Sequence, residues 1–432
     1  MFKRRAMNTG IILVVLALLL AAAGELSSAS GQNGAEQGVA RTDDVEMIVR
    51  AGFGRVDVNH FTGTWVPFRV SVSNRGKPIT GRLVVRAESD PNPSPQVREF
   101  VKDVQLPTGS KQLHEIAVYL NSAHKEPEVT LLDGDVPVVS ATVKVQRNYG
   151  SNDELEVVVV DTDQTALNSI SAKEIFRPVN RQPFKSVLDS AKAYQTDDAA
   201  PDPQAQSSQP AAGGLPPPPQ RRRPRRWLSQ NKQGPAARPT VIASEDLPRD
   251  YVSYDALDVL VLCDSPLSQL TAEQARALKM WVASGGMLVI TGAADIAGLR
   301  SQGLDELLPV DVRGTATVAS IPELTETYGR FESDDPTLLL ASAARPGSEI
   351  LLGSASMPIV AEQFYGSGLV RFVAFNPKLN PYRGWGAGKE LWNDLLLPAA
   401  ESKPRQVNWI TYGRGGNSGG GIQNFLFQLA EI

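Results

Sequence analysis

Residues 45–147 consist of short alternating apolar runs, and continuous apolar runs begin near residue 154. In the first region VEMIVRAGF, WVPFRVSVSN, ITGRLVVRAE, REFVKDVQL, KQLHEIAVYL, EPEVTLLDG and VPVVSATVKVQ give about seven candidate strands. Gly, Pro, Asn and Asp break the runs. Val66, Phe68, Val70 and Val72 alternate with polar positions, which is one face of a half-buried strand. Seven short strands at regular spacing, without helical periodicity, predict an immunoglobulin-like β-sandwich over 45–150. The paired cysteines of antibody domains are absent, so only the architecture is inferred.

The later runs have another character. LEVVVVD, LDVLVLCD (257–264) and GMLVITG (286–292) carry continuous apolar runs, as in parallel strands buried on both faces. LTAEQARALKMWVASGG lies between the last two and reads as a helix. Thr271 and Gln274 form a capping box at its start. Ala275, Leu278, Trp281 and Val282 line one face, and Gly285 ends it where a positive φ is needed. Strand, helix and strand at this spacing make a βαβ unit. GSGLVRFVAFNP (366–377) is a further buried strand. A helix around GKELWNDLLLPAA follows, with Leu391, Trp392, Leu395 and Leu396 apolar. The predicted fold class is all-β followed by α/β, the second domain spanning 151–400 around a parallel sheet.

Composition refines the boundaries. Residues 197–239 are poor in large apolar residues and rich in Pro, Gln, Ala and Arg, so they are expected to be a disordered insertion within the α/β domain. Residues 401–432 form a glycine-rich tail with a short amphipathic segment, IQNFLFQLAEI. At the start, Lys3, Arg4 and Arg5 precede an apolar run from Ile11 to Ala23, followed by small residues. That is the layout of a secretory signal over 1–30, cleaved between Ala23 and Gly31, with a flexible leader over 31–44. The apolar run is about 13 residues, short of the ~20 that a membrane span needs. Retention as an anchor is the alternative. Cys263 is the one cysteine, so there is no disulfide framework and no lipid-anchored cysteine near the cleavage zone. An exported protein of the bacterial envelope, periplasmic or at the cell surface, is expected. A net charge of −4 implies no nucleic-acid partner.

The run YDALDVLVLCDSPLSQLTAEQARALKMWVASGGMLVITG resembles a class I glutamine amidotransferase-like domain. That group has a flavodoxin-like α/β fold and occurs in exported and membrane-associated envelope proteins. The resemblance spans roughly 154–400 and is strongest over 250–292. It implies a β-sandwich in front and a membrane span beyond Ile432, and the N-terminal segment, if retained as an anchor, is the other expected route of membrane contact. It also implies a Cys-His-Glu triad with the cysteine on a glycine-flanked elbow. By motif order that elbow falls at Thr291-Gly292-Ala293, which holds no cysteine. Cys263 belongs to the preceding strand. His60, His114 and His124, the only histidines, all fall in the sandwich. The triad is therefore expected to be lost.

Gly416-Asn417-Ser418-Gly419-Gly420 matches G-x-S-x-G formally, but no histidine follows, and it reads as a glycine loop. Gly384-Trp385-Gly386-Ala387-Gly388-Lys389 has the wrong spacing for a phosphate loop. Asp161, Asp163, Asp264 and Asp295 follow the carboxyl ends of α/β strands, where open sheets bind ligands. They are the candidate ligand-binding residues. Acids there also cap turns and helices, which is the commoner role. Arg221–Arg226, within RRRPRRW, would engage anionic envelope polymers, lipid head groups or protein partners, or act as a solubilising linker. No cofactor, metal site or catalytic residue is implied. The leading expectation is a non-enzymatic envelope protein that binds or assembles. The alternatives are a metal-assisted hydrolase built on the acids and a glycan-binding protein using aromatics such as Trp65.

Overall fold

The computed structural model describes residues 37–53, 64–88, 97–120, 126–143, 155–163, 237–331 and 335–402. The signal segment, Arg221–Arg226, His60, His124 and the 416–420 loop lie outside the described residues. So do most of the 197–239 insertion and nearly all of the tail.

The chain is mixed α/β and mostly sheet. Its first part forms two antiparallel four-stranded sheets. One has the order β1 (Gln37–Arg41), β2 (Val45–Ala51), β3 (Thr64–Asn74), β6 (Ser110–Leu120). The other has the order β5 (Val97–Leu106), β4 (Ile79–Glu88), β7 (Glu128–Asp133), β8 (Val136–Thr142). Alternation sends Met47, Val49, Phe68, Val70, Val118, Leu83, Val85 and Leu131 into the core with no exposed surface. Gln37–Arg41 was expected to be flexible leader, but it pairs along its whole length with Glu46–Arg50. QGVAR has one large apolar residue, the exposed Val39, and no apolar alternation, so its backbone pairing left no mark on the pattern.

The second part is built on a seven-stranded sheet of order β10 (Ala237–Ile242), β9 (Leu155–Val160), β11 (Val259–Leu262), β12 (Met287–Thr291), β17 (Gly368–Val373), β16 (Met357–Tyr365), β15 (Glu349–Ser354). Strands β10 to β17 in that order are parallel. The sheet was expected to be parallel throughout, but β16 and β15 run antiparallel at one edge. Short turns enforce this, because a parallel neighbour needs a long crossover. Gly366 opens the β16–β17 turn at φ 63°, and a Cβ there would lie 2.5 Å from the Ala283 carbonyl oxygen. Strand β9 precedes the insertion and lies between β10 and β11, which follow it. The Ala237–Pro239 end of the expected insertion is strand.

Helix α1 (Ala272–Ala283) follows β11, and α2 (Ile296–Ser301) follows β12. The α1 capping box is present, with Gln274 N–H donating to Thr271 Oγ1 at 3.2 Å and Thr271 N–H to Gln274 Oε1 at 2.9 Å. A two-stranded sheet, β13 (Val310–Val318) with β14 (Thr337–Ala344), and helix α3 (Pro322–Tyr328) come before β15. Helix α4 (Gly388–Ser402) follows β17 and contains Pro398. Among the described residues no helix is long and apolar enough to cross a membrane.

One buried ion pair joins α4 to the sheet. Glu362 on β16 faces Arg371 on β17, with Nε and Oε2 2.7 Å apart and both side chains almost fully enclosed. Pro398 has no amide hydrogen, so the Asp394 carbonyl four residues earlier loses its helical donor. Arg371 Nη1 donates to that carbonyl at 2.6 Å and to the Leu395 carbonyl at 2.8 Å.

Candidate functional site

The parallel strands end together, in a row where Val160, Leu262, Ile290 and Phe372 are register partners. The first strand in sequence, β9, has its successor β10 on one side and β11 on the other. The sheet order therefore reverses between β9 and β11, the place where open α/β sheets form a crevice. Asp161 directly follows β9, and Asp264 is two residues past β11.

Three of the four candidate carboxylates meet there, on a residue that sequence reading missed. Lys378 Nζ lies 2.8 Å from Asp161 Oδ1, 3.0 Å from Asp163 Oδ2 and 3.1 Å from Asp264 Oδ2. The Asp161 side chain is fully enclosed, while those of Asp163 and Asp264 are about half exposed. Asp161 Oδ1 also accepts the backbone amides of Thr162 at 2.7 Å and Asp163 at 3.3 Å. Burial by itself lowers the Lys378 ammonium. The hydrogen bonds to Asp161, Asp163 and Asp264 outweigh it and hold the pKa above its ordinary value.

The loop after β17 is built to deliver this lysine. The Lys378 amide donates to Asn376 Oδ1 at 2.8 Å, closing a tight turn. Tyr382 stacks on Phe375 with ring centroids 3.8 Å apart, and Phe331 packs against both Tyr382 and Trp385. Asn380 Nδ2 donates to Asp335 Oδ2 at 3.0 Å. These contacts fix the loop over the strand ends.

Asp295 does not join the group. Its Oδ1 accepts the Gly298 amide at 2.8 Å and caps α2, and its Oδ2 accepts the Ser268 amide at 3.4 Å. Asp295, the fourth candidate ligand residue, serves as a helix cap, the ordinary place for an acid one residue before a helix.

Cys263 lies beneath the acids. It is buried, and its amide donates to the Val160 carbonyl at 3.0 Å within the β9–β11 ladder. Burial, with the Asp161 charge beside it, pushes the thiol up to about 12. At neutral pH it is a protonated, inert side chain. At the elbow position, Thr291 is buried and its hydroxyl donates to the Leu262 carbonyl at 3.1 Å. A Cβ at Gly292 would fall 2.5 Å from the Ala374 carbonyl oxygen, so the turn is pressed onto the end of β17. His114 lies on β6, and burial followed by the Lys102 charge lowers its pKa. Among the described residues no group of three or more His, Cys, Asp or Glu side chains is arranged to hold a metal ion.

A family model described as a domain of unknown function (DUF8726) matches residues 44–146. That stretch runs from just before β2 to just past β8. No curated protein matches the sequence. Among solved structures, the chain is similar to Cytoplasmic Protein STM1381 from Salmonella typhimurium LT2, at 15% identity and a TM-score of 0.32, over 40% of this chain and 84% of that one. It is also similar to the exo-β-1,4-mannosidase Op5Man5 from Opitutaceae bacterium strain TAV5, at 11% identity and a TM-score of 0.28, over 57% of this chain and 36% of that one. The GH42 β-galactosidase Gan42B from G. stearothermophilus gives 18% identity and a TM-score of 0.24, over 37% of this chain and 23% of that one. Likenesses of this size assign neither a fold family nor an activity.

Proposed function

We propose that this chain is a non-enzymatic, exported protein of the cell envelope that acts in binding or assembly. In this reading an immunoglobulin-like sandwich carries a flavodoxin-like domain of glutamine amidotransferase type whose catalytic groups are lost. The observation that carries it is Lys378. Its ammonium sits among Asp161, Asp163 and Asp264, so a side chain of the protein occupies the place where the acids would gather a cation or a polar ligand. The protonated Cys263 thiol and the closed turn at Gly292 support the same reading. Arg221–Arg226 supply a basic segment suited to anionic envelope polymers or protein partners.

The test combines an activity assay with crosslinking in cells. Wild-type chain and the Cys263→Ser variant are expected to release no ammonia from glutamine and to crosslink to the same envelope partner. Ammonia release by the wild type that disappears in Cys263→Ser would sink the proposal. The alternative of a metal-assisted hydrolase rests on the convergence of the three aspartates. It requires a divalent cation to displace Lys378, with hydrolysis that fails in Asp264→Ala.

A further inference from the structure

β6 is the outer strand of its sheet, and the side of it that faces away from β3 is open. The Pro67 carbonyl accepts the Gly52 amide at 2.8 Å, so the odd residues of β3 turn their backbone groups toward β2. Their register partners on β6 are Leu113 for Ser71, Glu115 for Arg69 and Ala117 for Pro67. The backbone groups of Leu113, Glu115 and Ala117 therefore point away from β3. β5 joins β6 through the turn at 107–109 but does not pair with it among the described residues. Side chains bridge the gap instead. Gln112 Nε2 donates to the Gln105 carbonyl at 3.0 Å, and Lys102 Nζ donates to the Glu115 carbonyl at 2.9 Å. Lys102 thus holds a place that the amide of a neighbouring strand would take.

A cleft of about 200 Å³ opens along this edge, lined by Lys102, Leu113, Glu115, Ala117, Arg249 and Asp250. Leu113 and Ala117 give it apolar surface, and Leu113 is 54% exposed. Its charges are unevenly engaged. The Glu115 carboxylate accepts the Arg249 backbone amide, at 3.2 and 3.3 Å from its two oxygens. The Asp250 carboxylate accepts the Val252 amide at 3.1 Å. Lys102 and Arg249 are exposed, and neither side chain has an acidic partner among the described residues. Both acids are turned to backbone amides, and two cations stay open to an anion.

We propose that this cleft takes the C-terminal end of a short peptide, paired by its main chain to the free edge of β6. Strand addition of this kind draws affinity from the backbone and specificity from side-chain pockets. A peptide amide replaces Lys102 at the Glu115 carbonyl. The freed ammonium and the Arg249 guanidinium take the terminal carboxylate through charge-assisted hydrogen bonds. An apolar last side chain covers Leu113 and Ala117. Several other edges are guarded against added strands. β10 contains Pro239, β8 contains Pro137 and a register shift, and the β15–β16 pairing has two register shifts. β6 runs for 11 residues with neither device. The cleft shares no residue with the group around Lys378.

Calorimetric titration of the full chain with the tripeptide Ala-Ala-Leu tests this, beside the same peptide amidated at its C-terminus and leucine alone. Saturable binding of the free acid is expected. Amidation, Lys102→Gln and Arg249→Gln are each expected to weaken it at least about tenfold. Both side chains are exposed, and unchanged unfolding midpoints check that the variants fold. Under saturating peptide, hydrogen exchange is expected to slow at the Leu113 and Ala117 amides and to stay unchanged at the β17 amides. Absence of saturable heat at millimolar peptide, equal affinity for acid and amide, or affinity untouched in both variants would overturn the proposal. Leucine binding as tightly as the tripeptide would overturn it in favour of a free amino acid.

Discussion

At the residue scale, three side chains decide how the crest of the sheet behaves. Cys263 is sealed under Asp161, so iodoacetamide at about pH 8 is expected to leave it unmodified in the folded chain and to alkylate it in denaturant. Modification at equal rates in both states would show that the thiol is open. Lys378 neutralises Asp161, whose side chain has no solvent contact. Removing one partner of a buried pair costs about 3–5 kcal/mol. Lys378→Ala is therefore expected to lower unfolding stability by about that much in a denaturant titration. Asp161→Asn together with Lys378→Ala should recover part of the loss, because no bare charge is then left. Asp295→Ala removes a helix cap and a long contact to the Ser268 amide, and is expected to cost about 1 kcal/mol. The three acids on Lys378 were legible as acids after strand ends. Lys378 was not, because one lysine in the irregular loop NPKLNP belongs to no periodicity. The available signal was a lone cation just past the last buried strand, at the same end of the sheet as the acids.

At the scale of elements, hydrophobic period carried most of the information. The apolar runs within 155–160, 259–262 and 287–291 are the buried parallel strands, and the capping box marked the start of α1. Strands without a large apolar face were hidden. β1 is QGVAR, and β10 begins Ala-Arg-Pro at the end of a low-complexity run. The antiparallel edge was hidden for another reason, since β15 and β16 have strand composition but their direction is set by turn length. The buried Glu362–Arg371 pair sits within runs that read as plain strand. Its role appears only once Pro398 places a carbonyl without a donor beside it. Glu362→Ala leaves the Arg371 charge enclosed, and a loss of about 3–5 kcal/mol is expected by thermal or chemical unfolding. A loss under about 1 kcal/mol would mean that water reaches the guanidinium.

At the scale of the molecule, the two four-stranded sheets and the α/β sheet form a framework whose best-placed crevice is filled from within. The parallel strands bring their carboxyl ends together, and the loop after β17 lays Lys378 across the switch point. The proposal of a non-enzymatic role therefore depends on Lys378 staying in place when cations are offered. Calorimetric titration of the wild-type chain with Mn²⁺ at neutral pH tests this most directly. No saturable heat from the crest is expected, and no change on Asp264→Ala. Stoichiometric, saturable Mn²⁺ binding that is lost in both Asp161→Asn and Asp264→Ala would contradict it and return the acids to the role of cation ligands.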